Sequence, residues 1–203
     1  MIKDDVSKYF KIFVSIITLI GLISNFIIFN SFTSLLYYTI LSNLFVFIFY
    51  TIDVLFDLNK NKKYHMTKGL MLLSILCTMI IYNFSLASKT TLYEGHAIIC
   101  SVVHIVVPLL VLIECLFFEV KKELEYKYVF YWLVPLIIYF ITVVIFGLSG
   151  GTFLNGQSFP YDFLNANKYG LLGCGIRCVV ILTFYIVLSV IIVFIDNKIK
   201  DNK

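Results

Sequence analysis

The chain has 203 residues, of which 61% are hydrophobic, 17% aromatic and only 14% charged. A soluble domain carries roughly 45–50% apolar and about 25% charged residues, so too little polar surface is available to coat this much Phe, Ile, Leu and Val in water. The net charge of +4 comes from lysines scattered over short connectors rather than from a basic helix or an aromatic-interleaved patch, which argues against a nucleic-acid partner.

Crossing the ~30 Å hydrocarbon layer takes about 20 predominantly apolar residues in a helix. Six runs reach that length, at about 10–30, 33–56, 69–88, 97–118, 128–148 and 170–195. Each run is continuous, unlike the alternating segments of a membrane barrel, and backbone amides in lipid must bond within their own segment. The expected fold is therefore all-α: one six-helix transmembrane domain over 1–203. The first run is too long for a signal-peptide core and lacks a small-x-small cleavage site, so it reads as a retained helix.

Of the 16 Lys and Arg, all except Lys89, Lys168 and Arg177 fall in the N-terminal tail, the second and fourth connectors or the C-terminal tail. This bias predicts that both termini are cytoplasmic. The long external connector is 149–169, rich in Gly and Asn. No internal repeat supports an inverted-repeat transporter.

Polar side chains in lipid need a partner or a task. At 1.5 Å per residue, Thr39 falls ~9 Å below the outer end of its span, His104 and Arg177 ~10 Å, and Asn25 and Asn83 ~8 Å, so one outer layer collects polar groups from five helices. Thr39, Asn43, Val46, Tyr50 and Asp53 form one stripe, and Cys100, His104, Val107 and Val111 another. Pro108 removes the backbone bond to residue 104 and predicts a kink at the imidazole.

A hydroxyl becomes a competent nucleophile when an adjacent base takes its proton, and imidazole is the usual base near neutral pH. Thr39 and His104 supply that pair, with Asn43, Asn83 and Arg177 as substrate-binding donors. Interhelical packing is the commoner use of Ser, Thr and Asn in such a layer, and Arg177 also fits a snorkelling role. Cys100, His104, Cys174 and Cys178 have zinc-compatible chemistry but no familiar ligand spacing. Asp53 and Glu114, toward the cytoplasmic side, suit a proton or cation path.

Three strings, YYTILSNLF (37–45), HIVVPLLVLIE (104–114) and FPYDFLN (159–165), occur in an order and spacing that resemble the androgen-induced-gene family of six-pass membrane proteins, bacterial members included. The resemblance spans nearly the whole chain. It implies hydrolysis of fatty acid esters of hydroxy fatty acids by a threonine nucleophile and a histidine, which match Thr39 and His104. The third string departs from the family by carrying Phe159 and Asp162. The abundance of Lys, Asn, Ile and Phe suggests an AT-rich genome and hence the cell membrane of a low-GC bacterium.

The expectation is thus a membrane-embedded lipid ester hydrolase, needing no metal or organic cofactor, whose partner is membrane lipid. A non-enzymatic carrier, channel or binding protein is the alternative, and a structural membrane component a third.

Overall fold

The computed structural model describes residues 2–86, 98, 100–118 and 123–199. Among them there is no strand, and the chain is an all-α bundle. Helix α1 covers Ile2–Phe29, α2 Tyr38–Phe56, α3 Lys62–Ile81, α4 Val107–Phe117, α5 Tyr128–Leu148 and α6 Ala166–Lys198. Five helices are long and apolar enough to cross a membrane, and the run Val102–Phe117 is a shorter apolar helix. Large apolar side chains point outward along the bundle, Ile27 at 70%, Phe130 at 72% and Leu172 at 80% exposure. So much exposed apolar surface belongs in lipid and not in water, which makes this an integral membrane protein.

The span ends differ from expectation for local reasons. Helix α2 begins at Tyr38 because a short 3₁₀ turn, Phe32–Leu36, precedes it, capped by Ser31, whose hydroxyl accepts from Thr33 N–H. Asn30 closes α1 at φ 41°, a left-handed conformation that Asn tolerates better than most residues. Helix α3 starts seven residues before the expected 69, at Lys62, because the side chain of Asn61 accepts from the Lys63 and Tyr64 N–H groups, the usual N-cap arrangement. Helix α6 is longer than the expected 170–195 and carries a kink at Gly170 (φ 67°), a backbone state that glycine adopts freely. The expected span residues 87, 88, 97 and 99 and the connector lysines Lys89, Lys121, Lys122, Lys200 and Lys203 lie outside the described residues.

Helix α3 is the hub, packing on α2, α4 and α6, while α1 packs on α2 and α4, and α5 on α6. Trp132 of α5 is buried and donates its indole N–H to Met66 O of α3 at 2.9 Å. Gly69 makes room for that indole, since a Cβ there would sit 2.5 Å from the ring.

Lys11 and Lys68, counted above as tail and connector charges, are instead buried inside α1 and α3. Lys11 Nζ lies 2.6 Å from Asp53 Oδ2 and 3.8 Å from Glu114, and Lys68 Nζ lies 2.8 Å from Glu114. Tyr64 donates to Asp53 at 2.9 Å and Tyr50 to Glu114 at 3.0 Å. Two cations and two carboxylates from four helices thus neutralise one another, the condition under which buried charges persist.

Moving along each helix from this cluster, the next inward-facing residues are Val14, Val46, Met71, Val111 and Val107, all 0% exposed. Beyond that apolar layer come Asn43, Thr39 and His104.

Candidate active site

Thr39 sits in the first turn of α2 and is 9% exposed. It is joined to His104 through Oγ1 and Nε2, 3.2 Å apart. The other ring nitrogen, Nδ1, lies 2.9 Å from Cys100 O. A carbonyl only accepts, so Nδ1 carries the proton and the neutral ring turns the lone pair of Nε2 toward Thr39. The hydroxyl therefore donates to the imidazole, the arrangement of a nucleophile and its base.

Pro108 shapes this geometry differently from a simple kink. The backbone makes a π-helical turn over Val102–Val106, with Val107 N–H donating to Val102 O, before α4 runs on past the proline. His104 lies within that wide turn, a local form that recurs at functional sites. A second π-helical turn, Tyr82–Leu86, ends α3. Its Tyr82 stacks on the His104 ring at 3.8 Å between centroids and 24° between planes, so the imidazole is held by a ring face and by two hydrogen bonds.

Asn43 lies one turn below Thr39, fully buried, and its Nδ2 donates to Thr39 O at 2.8 Å and Val103 O at 3.0 Å. Both amide hydrogens are committed to carbonyls of α2 and the fourth helix, so Asn43 fixes the register of nucleophile and base rather than facing a substrate. Its Oδ1 is buried without a partner, an unsatisfied acceptor of the kind that native interiors rarely leave.

The remaining expected residues stand apart from the pair. Asn83 is exposed and its amide donates to Met79 O at 2.8 Å. Asn25 is half-buried on α1. Arg177 donates to Gly173 O at 2.9 Å and lays its guanidinium over the Tyr169 ring at 3.6 Å. Cys174 contacts Leu164 O at 3.5 Å. Among the described residues no three of His, Cys, Asp and Glu gather into a ligand set, so Cys100, His104, Cys174 and Cys178 do not form the zinc site considered above.

Thr39 lines a narrow cavity of about 30 Å³ with Tyr38, Tyr82, Tyr139 and Tyr161. A volume of that size holds about one water. Ile81, Phe163 and Ile181 line this cavity and also a much larger groove of about 600 Å³ on the outside of α3 and α6, where Phe84, Phe184 and Arg177 contribute the walls. The groove is apolar apart from Arg177.

The connector between α5 and α6, read from sequence as an external segment rich in Gly and Asn, packs over the site. Phe153, Phe159 and Leu164 are buried in the bundle. Gly147 permits the close approach, because a Cβ there would collide with Ser158 O and the Phe159 ring. Tyr161 meets Tyr37 edge-on at 5.8 Å and stacks on Phe163 at 5.2 Å, 4° from parallel. It lines the small cavity together with Thr39 and Tyr139. Burial pushes the Tyr161 phenol up from its ordinary value, which keeps it protonated as an O–H donor. A tyrosine directly after Pro160 in the external connector was the available signal for it. Comparison of the chain with protein-family models, with curated proteins and with solved structures finds no match.

Proposed function

We propose that this chain is a membrane-embedded lipid ester hydrolase with Thr39 as nucleophile and His104 as base. The observation that carries the reading is the hydrogen bond from the Thr39 hydroxyl to a lone pair on His104 Nε2 that Cys100 O orients. The lipid-facing groove beside it supports an apolar substrate, because an acyl chain reaches Thr39 by displacing Phe163 without crossing water. In the resemblance noted from sequence, the same two residues hydrolyse fatty acid esters.

Thr39 Oγ1 bonds to the ester carbonyl carbon while its proton passes to His104 Nε2. The imidazolium is stabilised by its Nδ1–H bond to Cys100 O. Collapse of the tetrahedral intermediate expels the alcohol, which leaves with the proton from Nε2. Water then repeats the sequence on the acyl-threonine and releases the acid. Arg177, with five N–H donors of which one serves Gly173 O, holds an anionic group of the substrate at the groove rim. Asn43 positions both reacting side chains.

The proposed topology is six-pass, with the Val102–Phe117 run completing the fourth crossing as part of a longer helix. Exposed Lys8, Lys60, Lys62, Lys63, Lys127 and Lys198 mark one end of the bundle, against Lys168 at the other. This bias supports cytoplasmic termini in a bacterial cell membrane, with the site near the outer leaflet. The apolar layer of Val14, Val46, Met71, Val107 and Val111 separates the ion cluster from the Thr39–His104 pair, which weighs against a channel joining the two.

The test is turnover of simple and branched long-chain fatty esters by the full chain in detergent. The expected result is a loss of about 10²–10⁴-fold in Thr39→Ala and in His104→Ala, with helicity and melting retained. Undiminished hydrolysis by either variant removes that residue from the mechanism.

A further inference from the structure

Building on the hydrolase reading, we infer that Tyr161 is a further catalytic residue, whose hydroxyl donates a hydrogen bond to the substrate's carbonyl oxygen as Thr39 attacks. As the carbon becomes tetrahedral, its oxygen takes up the electron pair of the C=O bond and becomes an oxyanion. A donor placed in advance at that point is worth more than one that must reorganise. No proton is transferred from Tyr161: it donates while the oxygen is charged and continues to donate when the C=O bond re-forms and the alcohol leaves.

Three observations converge on this residue. Tyr161 shares the small cavity with Thr39, so a substrate carbonyl within reach of Oγ1 occupies space that the phenol also borders. The ring is held from two sides, by the edge of Tyr37 and the face of Phe163, on a connector pinned by buried Phe159 and Leu164. Neighbouring donors are already engaged. Asn43 spends both amide hydrogens on Thr39 O and Val103 O, and Tyr139 donates to Leu36 O at 3.0 Å while accepting from Tyr38 N–H at 3.1 Å.

The inference ties chemistry to the connector. Phe163 lines both the cavity and the outer groove, and Tyr161 stacks on Phe163, so admission of the acyl chain and placement of the donor belong to one segment. An ester that fails to seat against Phe163 is expected to meet a poorly placed Tyr161.

The experiment uses the full chain in detergent, a long-chain p-nitrophenyl ester as substrate and a long-chain alkyl trifluoromethyl ketone as mimic of the tetrahedral state. Tyr161→Phe keeps the ring and its packing and deletes only the hydroxyl. The expected result is a fall in kcat of about 10²-fold with KM nearly unchanged, the size seen when one oxyanion donor is lost. Affinity for the ketone falls by a similar factor. A merely structural role would instead raise KM and lower melting without that selective loss of ketone binding. Wild-type kcat in Tyr161→Phe, while Thr39→Ala and His104→Ala are inactive, overturns the Tyr161 role and leaves the hydrolase standing. A parent chain that turns over no ester overturns both.

Discussion

Two of the buried polar regions among the described residues, one toward each end of the same four-helix interior, are built on opposite terms. The cluster of Lys11, Asp53, Lys68 and Glu114 is charge-balanced, with contacts of 2.6–3.8 Å and tyrosine hydroxyls filling further carboxylate sites. The Thr39–His104 region holds no formal charge pair, leaves Asn43 Oδ1 without a partner and borders a cavity. Saturation marks a region that holds helices together, whereas incomplete satisfaction beside open space marks one that is completed by something else.

The sharpest way to break this contrast is to remove one charge from the saturated cluster. Glu114→Ala leaves Lys68 buried without its carboxylate and is expected to destabilise the bundle by about 3–5 kcal/mol, read from denaturant titration in detergent micelles. Melting like the parent would show that the cluster is not what joins α1 to α4. Asn43→Ala comes next: it strips two carbonyls of their donor and is expected to cost about 1–3 kcal/mol, with ester turnover falling as the nucleophile and base lose register. Turnover unaffected by that change would separate Asn43 from the site.

Thr39→Ala should lower stability by only about 1 kcal/mol, the net value of one hydrogen bond, while abolishing turnover. A stability loss as large as that of Glu114→Ala would place Thr39 among the structural groups and erase the distinction. The smallest effect is expected at the half-buried Glu125. Hydrogen bonds from Lys127 and Lys62 hold its carboxyl down at about 2. The folded value lies below the unfolded one, so its contribution is present above the ordinary carboxylate range and disappears as pH falls toward 2. Glu125→Gln should slightly flatten the acid limb of a melting-against-pH curve, and an unchanged curve would make this pair irrelevant to stability.

Much of the architecture was legible because hydrophobic run length survives any ignorance of packing. Composition pointed to lipid, and five helices match that reading. Depth along the spans placed Thr39 and His104 in one layer, but depth carries no information on rotation, so their 3.2 Å approach could not follow from it. Asn83 and Arg177 shared the estimated depth and face elsewhere, which shows how little depth alone decides. Lys11 and Lys68 misled for a related reason: a lysine near the end of an apolar run looks like a connector charge until its carboxylate on another helix is known. The two π-helical turns were invisible because they shift the backbone by one hydrogen-bond register without altering residue type, apart from the clue of Pro108. Tyr161 escaped because its partner lies more than a hundred residues away.

The apolar layer between the two regions has an electrical consequence. Val14, Val46, Met71, Val107 and Val111, each 0% exposed, give a mobile charge no hydration between the imidazole and the ion cluster, and a low-dielectric gap of that kind strongly opposes ion passage. A proton taken up by His104 therefore exchanges with the solution at its own end of the bundle. Under the hydrolase reading proposed above, turnover at Thr39 is expected to follow the pH at that end of the bundle.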